Sequence, residues 1–321
     1  MIKYRDTALI YNPRAGKIIR SGSALVERAH KTLVHQGHNV TMCPTTGPFS
    51  AGEIAREQIA RGADLIVVAG GDGTINEAAE GMIGSPVPLG ILPFGTANVL
   101  AMELSLGHDP VRSARRIGEL RPLRISVGRL TCEGVGQSAR LPANGAGRTA
   151  APRHFLLMAG IGLDAYIVHR VDARLKARAG KMAYWVAGWS LVGRRLAQFD
   201  VEIEGAPRRC SFALFSRVRN YGGDFEIAKS VRLTDDTFEA VLFEGETTTP
   251  YVKYFAGMAL NRIRGLRGVE VTRTDRVRLE QRNGPVFVQV DGELAGTLPA
   301  EIRIVPDALT LLVPETYTPQ Q

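Results

Sequence analysis

Residues 67–81 read VVAGGDGTINEAAEG. An apolar run with strand character stops at Gly70-Gly71-Asp72-Gly73-Thr74, and a run with helical character follows. Glycines at such a junction let backbone N–H groups approach an anion, and the helix start adds positive dipole charge. Asp72 answers a different need. A bare carboxylate repels phosphate, so beside phosphates it serves through Mg²⁺. Thr74 can cap the helix or bond a phosphate oxygen. No Gly-Lys-Ser/Thr follows, and the spacing is not Gly-x-Gly-x-x-Gly, so neither the P-loop nor the dinucleotide fingerprint is present. Taken alone, the junction also suits a tight turn with a capping threonine.

Outward from this stretch the N-terminal part alternates. TALIYNP (7–13), HNVTMCPTT (38–46), ADLIVVAGG (63–71) and PLGILPFG (88–95) read as strands. SGSALVERAHKTLVHQG (21–37), SAGEIAREQIARG (50–62) and TINEAAEGMI (74–83) carry apolar residues at helical spacing. This alternation predicts right-handed crossovers and a doubly wound α/β sheet, with ligands beyond the carboxyl ends of the strands. After about Arg121 the pattern changes. Segments 122–130, 153–162, 200–205, 208–218, 238–246, 269–281 and 285–296 read as strands of a mostly antiparallel, β-sandwich-like domain. A helical insertion is expected at Tyr166–Gln198 and a loop at 131–152. The expected division is an α/β nucleotide-binding domain over 1–125, a β-rich domain over 126–305, and a C-terminal segment 306–321 whose apolar runs suit a return to either domain, with the first as the candidate.

The chain has 321 residues, 40 Lys and Arg against 32 Asp and Glu, and a net charge of +8. That balance favours anionic partners: nucleic acid, lipid headgroups or a phosphorylated substrate. Cys43, Cys132 and Cys210 lie far apart, with neither metal-ligand spacing nor a disulfide framework. The start has no apolar signal segment. The apolar run near Tyr184–Gly193 is far short of the ~20 residues of a spanning helix. A cytoplasmic protein is therefore expected. The six histidines suggest neither a triad nor a zinc site, and His35 and His38 read as surface residues of a helix and a turn.

Two further turns have related chemistry. In YNPRAGK (11–17), Asn12 can bond a base or ribose and Lys17 can reach a phosphate. In LPFGTANVLA (92–101), Thr96 and Asn98 can again bond a nucleotide. NPRAG, GGDGTINE and LPFGTAN in this order resemble the catalytic domain of the diacylglycerol kinase and sphingosine kinase superfamily. In the second half GIGLDAYIV, LKARAGKMAYW, YGGDFEIA, LTDDTFEAVLF and VQVDGE resemble the blocks of its bacterial lipid kinases. The similarity spans about residues 5–315.

The resemblance implies an ATP- and Mg²⁺-dependent kinase that phosphorylates a hydroxyl of a diacylglycerol- or sphingoid-like lipid at a membrane surface. It implies nucleotide contacts at Asn12, Thr45 (or Thr46), Gly70, Gly71, Asp72, Gly73, Thr74, Ile75, Asn76 and Thr96. It implies Glu293 as general base, Asp291 as its essential neighbour, and Asp72 in catalysis. It implies a structural Mg²⁺ held by Asp236 and the carbonyls of Leu233 and Phe238. Val99, Asp224, Lys229 and Thr237 depart from the usual residues, Thr237 standing where Gly follows the metal Asp. Phosphoryl transfer independently requires a held γ-phosphate, neutralised charge and a base at the acceptor hydroxyl. If Asp291-Gly292-Glu293 is extended, both carboxylates share one face of a strand. The same tripeptide is also a common hairpin turn.

Residues 169–195 hold seven Lys or Arg with Tyr184, Trp185 and Trp189, which suits either a helix on an anionic bilayer or one packed on its own domain. The expected partners are a lipid substrate, an anionic membrane surface reached peripherally from the cytoplasm, no nucleic acid, and a second copy in a homodimer. The competing readings are a soluble NAD or sugar kinase, and a non-catalytic nucleotide or lipid sensor.

Overall fold

The computed structural model describes residues 4–132, 152–163, 165, 195–221, 225–259 and 262–317. The chain divides into two units, Met1–Val127 with Pro306–Gln321, and Gly128–Val305.

In the first unit the parallel strands β1 (Asp6–Tyr11), β2 (Asn39–Pro44), β3 (Leu65–Gly70) and β4 (Leu89–Pro93) lie in the order β2-β1-β3-β4. Thr7 pairs with Val40 on one side and Leu65 on the other, and Ile66 pairs with Leu89. The final strand, Ala300–Val313, joins beyond β4 in parallel, with Leu311 opposite Leu89. Every residue of β3 is buried, as a central parallel strand covered on both faces requires. From β1 the chain builds first to one side, as β2, and then returns to the other, as β3 and β4. The order therefore reverses between β1 and β3, which puts a switch point at their carboxyl ends.

Helices α1 (Gly16–Ser21), α2 (Ala24–His35), α3 (Ser50–Ala60), α4 (Asp72–Met82), α5 (Val99–Glu103) and α6 (Pro110–Arg116) connect these strands. α2 buries Val26, Ala29 and Leu33 at helical spacing. Its last turn exposes His35. His38 is a correction to the surface reading: it is 6% exposed, with Nδ1 3.0 Å from the Thr7 hydroxyl. Burial holds its pKa below the ordinary imidazole value. α6 starts on Asp109, whose carboxylate accepts from the N–H groups of Val111 and Arg112.

The second unit is two layers of antiparallel strands. One layer runs Val269–Thr274, Phe238–Phe243, Phe212–Ser216, Met158–Gly162, Phe287–Val290 and Glu293–Thr297. The other contains Ala206–Cys210, Phe199–Ile203, Arg276–Gln281 and the first half of Ala300–Val313. Their inner faces share one core that includes Ile161, Phe215, Phe238, Val288, Phe199, Val201, Leu279 and Ile302. This is the sandwich that alternating strands form when each buries one face. Phe212–Ser216 is buried on both faces. A further helix among the described residues, α7 (Thr249–Ala259), covers its outer side: Tyr251 bonds Ser211 through its hydroxyl at 2.7 Å and packs on Phe212 and Phe243. No element is expected from the sequence between 246 and 269, so α7 is an addition to that reading. The expected strand 269–281 is two strands that break at Asp275.

The expected loop at 131–152 and helix at 166–198 lie outside the described residues except at their ends. At the described end of the latter, Arg195 makes an isolated bridge to Thr247 and Phe199 already begins a strand. Among the described residues no helix is long and apolar enough to cross a membrane.

α3 and α4 meet backbone to backbone. A Cβ on Gly81 would lie 2.1 Å from the Gly52 carbonyl oxygen, and one on Gly52 would lie 2.5 Å from that of Glu77. On helix propensity alone Gly81→Ala gains about 1 kcal/mol. The clash is with rigid backbone, and overpacking of this kind costs about 1–3 kcal/mol. Gly81→Ala is therefore expected to lower the melting temperature. A rise in calorimetry would mean that the helices do not touch there.

Candidate active site

The first candidate site is built from the turns that follow β1, β3 and β4. These strands are sheet neighbours, so three turns far apart in sequence meet at one edge. The turns after β3 and β4 meet at two glycines, Gly71 and Gly95. A Cβ on Gly95 would lie 2.6 Å from the Gly71 Cα, and one on Gly70 would lie 2.6 Å from the Thr74 Cβ. Only glycine permits this approach.

Side chains then tie the turns together. The Asn12 amide donates to the Thr74 hydroxyl at 3.2 Å, and its oxygen accepts from the Arg14 N–H at 2.8 Å. Asp72 Oδ1 accepts from the Leu100 N–H at 3.2 Å, at the start of α5. Asn98 is 1% exposed with φ of +51°. Its side chain accepts from the Gly95 N–H at 2.8 Å and donates to the Gly95 carbonyl at 2.9 Å. Asp72 thus caps α5 from the first turn of α4. Burial raises its pKa above the ordinary carboxylate value, against the lowering effect of the amides of Leu100, Val99, Asp72 and Asn98.

Several expected roles change. Lys17 does not extend toward a phosphate: its ammonium donates to the backbone carbonyls of Pro93, at 2.8 Å, and of His108. Asn98 shapes its own turn. Ile75 is a fully buried core residue whose N–H donates to the Gly71 carbonyl, so neither group faces a ligand. Asp72 is held by backbone amides and need not be held by a metal. What the edge does present are the amides of Gly73 and Thr74, which as first-turn residues have no intrahelical acceptor. Thr96 is exposed, and Gly71, Gly73 and Asn76 are half-buried. Thr45 is half-buried too, with its N–H donating to the Tyr11 carbonyl at 2.8 Å.

The second candidate site lies in the sandwich. Asp291 and Gly292 have φ of +50° and +83°, and they join Phe287–Val290 to Glu293–Thr297 with Val290 opposite Glu293. This is the two-residue Asp-Gly hairpin. The extended geometry is overturned, and the two carboxylates separate. Asp291 turns inward and accepts from the N–H groups of Leu156, Leu157 and Met158 at 2.8, 2.9 and 2.9 Å. Glu293 is half-exposed and accepts from Arg153 at 3.2 Å; Arg153 also donates to the Leu294 carbonyl at 3.1 Å. Arg153 was read only as part of a strand. It comes from a distant segment that pairs with Gly128–Leu130, so no local spacing marks it.

The expected structural metal set does not fit. The Leu233 carbonyl accepts from the guanidinium of Arg217, a fully buried residue. Asp236 is exposed, and Phe238 is a core residue paired with Thr274. A metal on the Leu233 oxygen would face a guanidinium already bonded there.

Comparison with known proteins agrees with this architecture. Residues 6–130 match the diacylglycerol kinase catalytic domain, and residues 158–313 match the YegS C-terminal NAD kinase beta sandwich-like domain. The chain belongs to the diacylglycerol kinase family. It is an enzyme of the lipid-kinase class. A diacylglycerol kinase of Mycobacterium tuberculosis (strain ATCC 25618 / H37Rv) is 27% identical over 311 residues, covering 94% of this chain and 93% of that protein. One of Bacillus subtilis (strain 168) is 27% identical over 309 residues, 91% of each. The crystal structure of a diacylglycerol kinase from Bacillus anthracis str. Sterne shares the fold with a TM-score of 0.75 at 21% identity, covering 99% of this chain and 100% of that one.

The raised pKa of Asp72 has a definite sign. Its folded value lies above its unfolded value, so folding favours the protonated form. The stability present at acid pH is lost as pH rises through the folded pKa, and at neutral pH the ionised carboxylate opposes folding. Asp72→Asn keeps an acceptor for Leu100 without the charge. It is expected to melt at or above the wild-type temperature at pH 7, whereas Asp72→Ala, which leaves that N–H unpaired, melts lower. A drop in Asp72→Asn as large as in Asp72→Ala would mean the charge itself holds the turns together.

Proposed function

We propose that this chain is an ATP- and Mg²⁺-dependent lipid kinase that transfers the γ-phosphate to a hydroxyl of a diacylglycerol- or sphingoid-like lipid at a membrane surface. The observation that carries the nucleotide part is the meeting of three turns at the carboxyl edge of the parallel sheet, two through glycines and the third through Asn12. That edge suits a polyphosphate: helix-start amides and hydroxyls offer donors, and the lack of side-chain bulk admits close approach. The amides of Gly73 and Thr74, with Thr96, Thr45 and Asn76 around them, are the groups assigned to MgATP. Asp72 and Asn12 act on the nucleotide by holding the turns that carry those groups. Mg²⁺ enters as part of the nucleotide substrate and neutralises phosphate charge.

Glu293 is the group assigned as general base. It takes the proton of the acceptor hydroxyl as that oxygen bonds the γ-phosphorus and the bond to ADP breaks. Its half-exposed carboxylate, oriented by Arg153, suits that role better than Asp291, whose oxygens are engaged by three amides. Asp291 is a positioning residue that keeps the hairpin on the Leu156–Met158 segment. A net charge of +8 supports attraction to an anionic bilayer on the cytoplasmic side. The match of residues 158–313 to a NAD kinase-like sandwich keeps a soluble NAD kinase as the second reading.

The test is label transfer from γ-labelled ATP with Mg²⁺. The acceptors are diacylglycerol, monoacylglycerol, phosphatidylglycerol, sphingosine, ceramide and undecaprenol in mixed micelles, with NAD as the soluble acceptor. A labelled lipid is expected, with loss of transfer in Asp72→Ala. Label in NAD alone would overturn the lipid assignment. Glu293→Gln is expected to lower turnover by about 10²-fold or more, the usual contribution of a positioned base, with ATP affinity unchanged in calorimetry. Undiminished turnover would remove Glu293 from the chemistry.

A further inference from the structure

Arg217 follows strand Phe212–Ser216 and is 0% exposed. Burying a guanidinium is costly unless its donors find acceptors. The two terminal nitrogens of Arg217 find them on the turn that carries the Leu233-Thr234-Asp235-Asp236 sequence. One terminal nitrogen donates to the Asp235 carbonyl at 3.0 Å and the other to the Leu233 carbonyl. The turn closes on itself as well, with the Asp235 N–H donating to the Arg232 carbonyl at 3.0 Å.

Two more guanidinium groups converge on the same segment. Arg273 bonds the Ser230 carbonyl at 2.8 Å and pairs with the Asp235 carboxylate. Arg264 bonds the Ser230 hydroxyl at 3.1 Å and pairs with the buried carboxylate of Glu239. Two of these guanidinium groups thus pair with carboxylates, Arg264 with Glu239 and Arg273 with Asp235, while Arg217 serves backbone carbonyls. A divalent cation on this turn would add two positive charges beside three guanidinium groups, and would share the Leu233 oxygen with one of them.

We infer that the Arg217 guanidinium is the internal cation of this turn, taking the Leu233 carbonyl that a structural divalent ion would otherwise use. The turn is held without metal. Its geometry passes onward through Arg217 itself: the Arg217 N–H donates to the Leu157 carbonyl at 2.8 Å, and the Leu157 N–H donates to Asp291 in the hairpin that carries Glu293. A planar fork with fixed donors suits this task, because it reaches two carbonyls at once and cannot be deprotonated.

The test uses the full chain without nucleotide, dialysed against EDTA and then melted with and without Mg²⁺, Ca²⁺ or Mn²⁺. A site filled at 100 times its Kd would raise the melting temperature by roughly 5–10 °C. The wild type is expected to show no such rise. Arg217→Ala is expected to melt lower, and to acquire a divalent-dependent rise that Asp236→Asn in the same background removes. Arg217→Lys, which keeps one charge, should recover part of the loss without needing metal. A metal-dependent rise in the wild type that Asp236→Asn abolishes would overturn the inference. So would an Arg217→Ala protein that melts like the wild type, or one that is folded and does not respond to metal. If Arg217→Ala does not fold, the wild-type melt and Arg217→Lys still decide, since a metal response in either contradicts an internal cation.

Discussion

The close approach of Gly71 and Gly95 is the constraint on which the first unit's candidate site depends. Strands β3 and β4 are neighbours, so the turns at their ends must either diverge or touch. They touch, with room for a Cα and nothing more. The contact leaves the first amides of α4 at the sheet edge, and it brings Asp72 within reach of the Leu100 N–H. Asp72 thereby makes the end of one turn the cap of the next helix. Its burial opposes ionisation while the surrounding amides favour it, a balance that suits a group placed for geometry at some cost in stability.

In the second unit the equivalent part is played by Asp291. Three successive N–H groups bind one carboxylate, and their own N–H partner in return is the Asp291 backbone bonding the Met158 carbonyl at 2.9 Å. A two-residue hairpin with both residues at positive φ projects the next side chain, Glu293, from a stiff corner. Arg153 then restricts that side chain from a strand of the other sheet. The arrangement divides labour between two carboxylates that sit two residues apart: one is consumed by structure, and the other is left half-exposed.

Charge in the sandwich is concentrated around the segment 229–239. Arg217, Arg264 and Arg273 come from three separate segments of the chain and meet Asp235, Glu239 and a set of backbone carbonyls. Buried charge of this kind adds little net stability against an apolar alternative, but removing one partner is costly. Its effect is to hold one loop in one geometry, and that loop connects through Leu157 to the Asp291 hairpin.

The sequence by itself determined the alternation of strands and helices, the change to a β-rich second half, and the three turns at GGDGT, NPRAG and GTAN. These depend on periodicity and on glycine, which act locally. It also marked Asp291-Gly292 as a hairpin, one of two readings left open. Only the tertiary structure decided what each polar side chain does. Lys17 and Asn98 look like ligand contacts until the carbonyls of Pro93, His108 and Gly95 claim them. His38 lies next to a turn glycine, yet Thr7 and the sheet bury it. Arg153 and Arg217 carry no local signal, because their partners lie 140 and 16–18 residues away. The metal set failed for the same reason. A donor pattern in sequence does not say which cation reaches it first, and here a guanidinium from the adjacent strand end does.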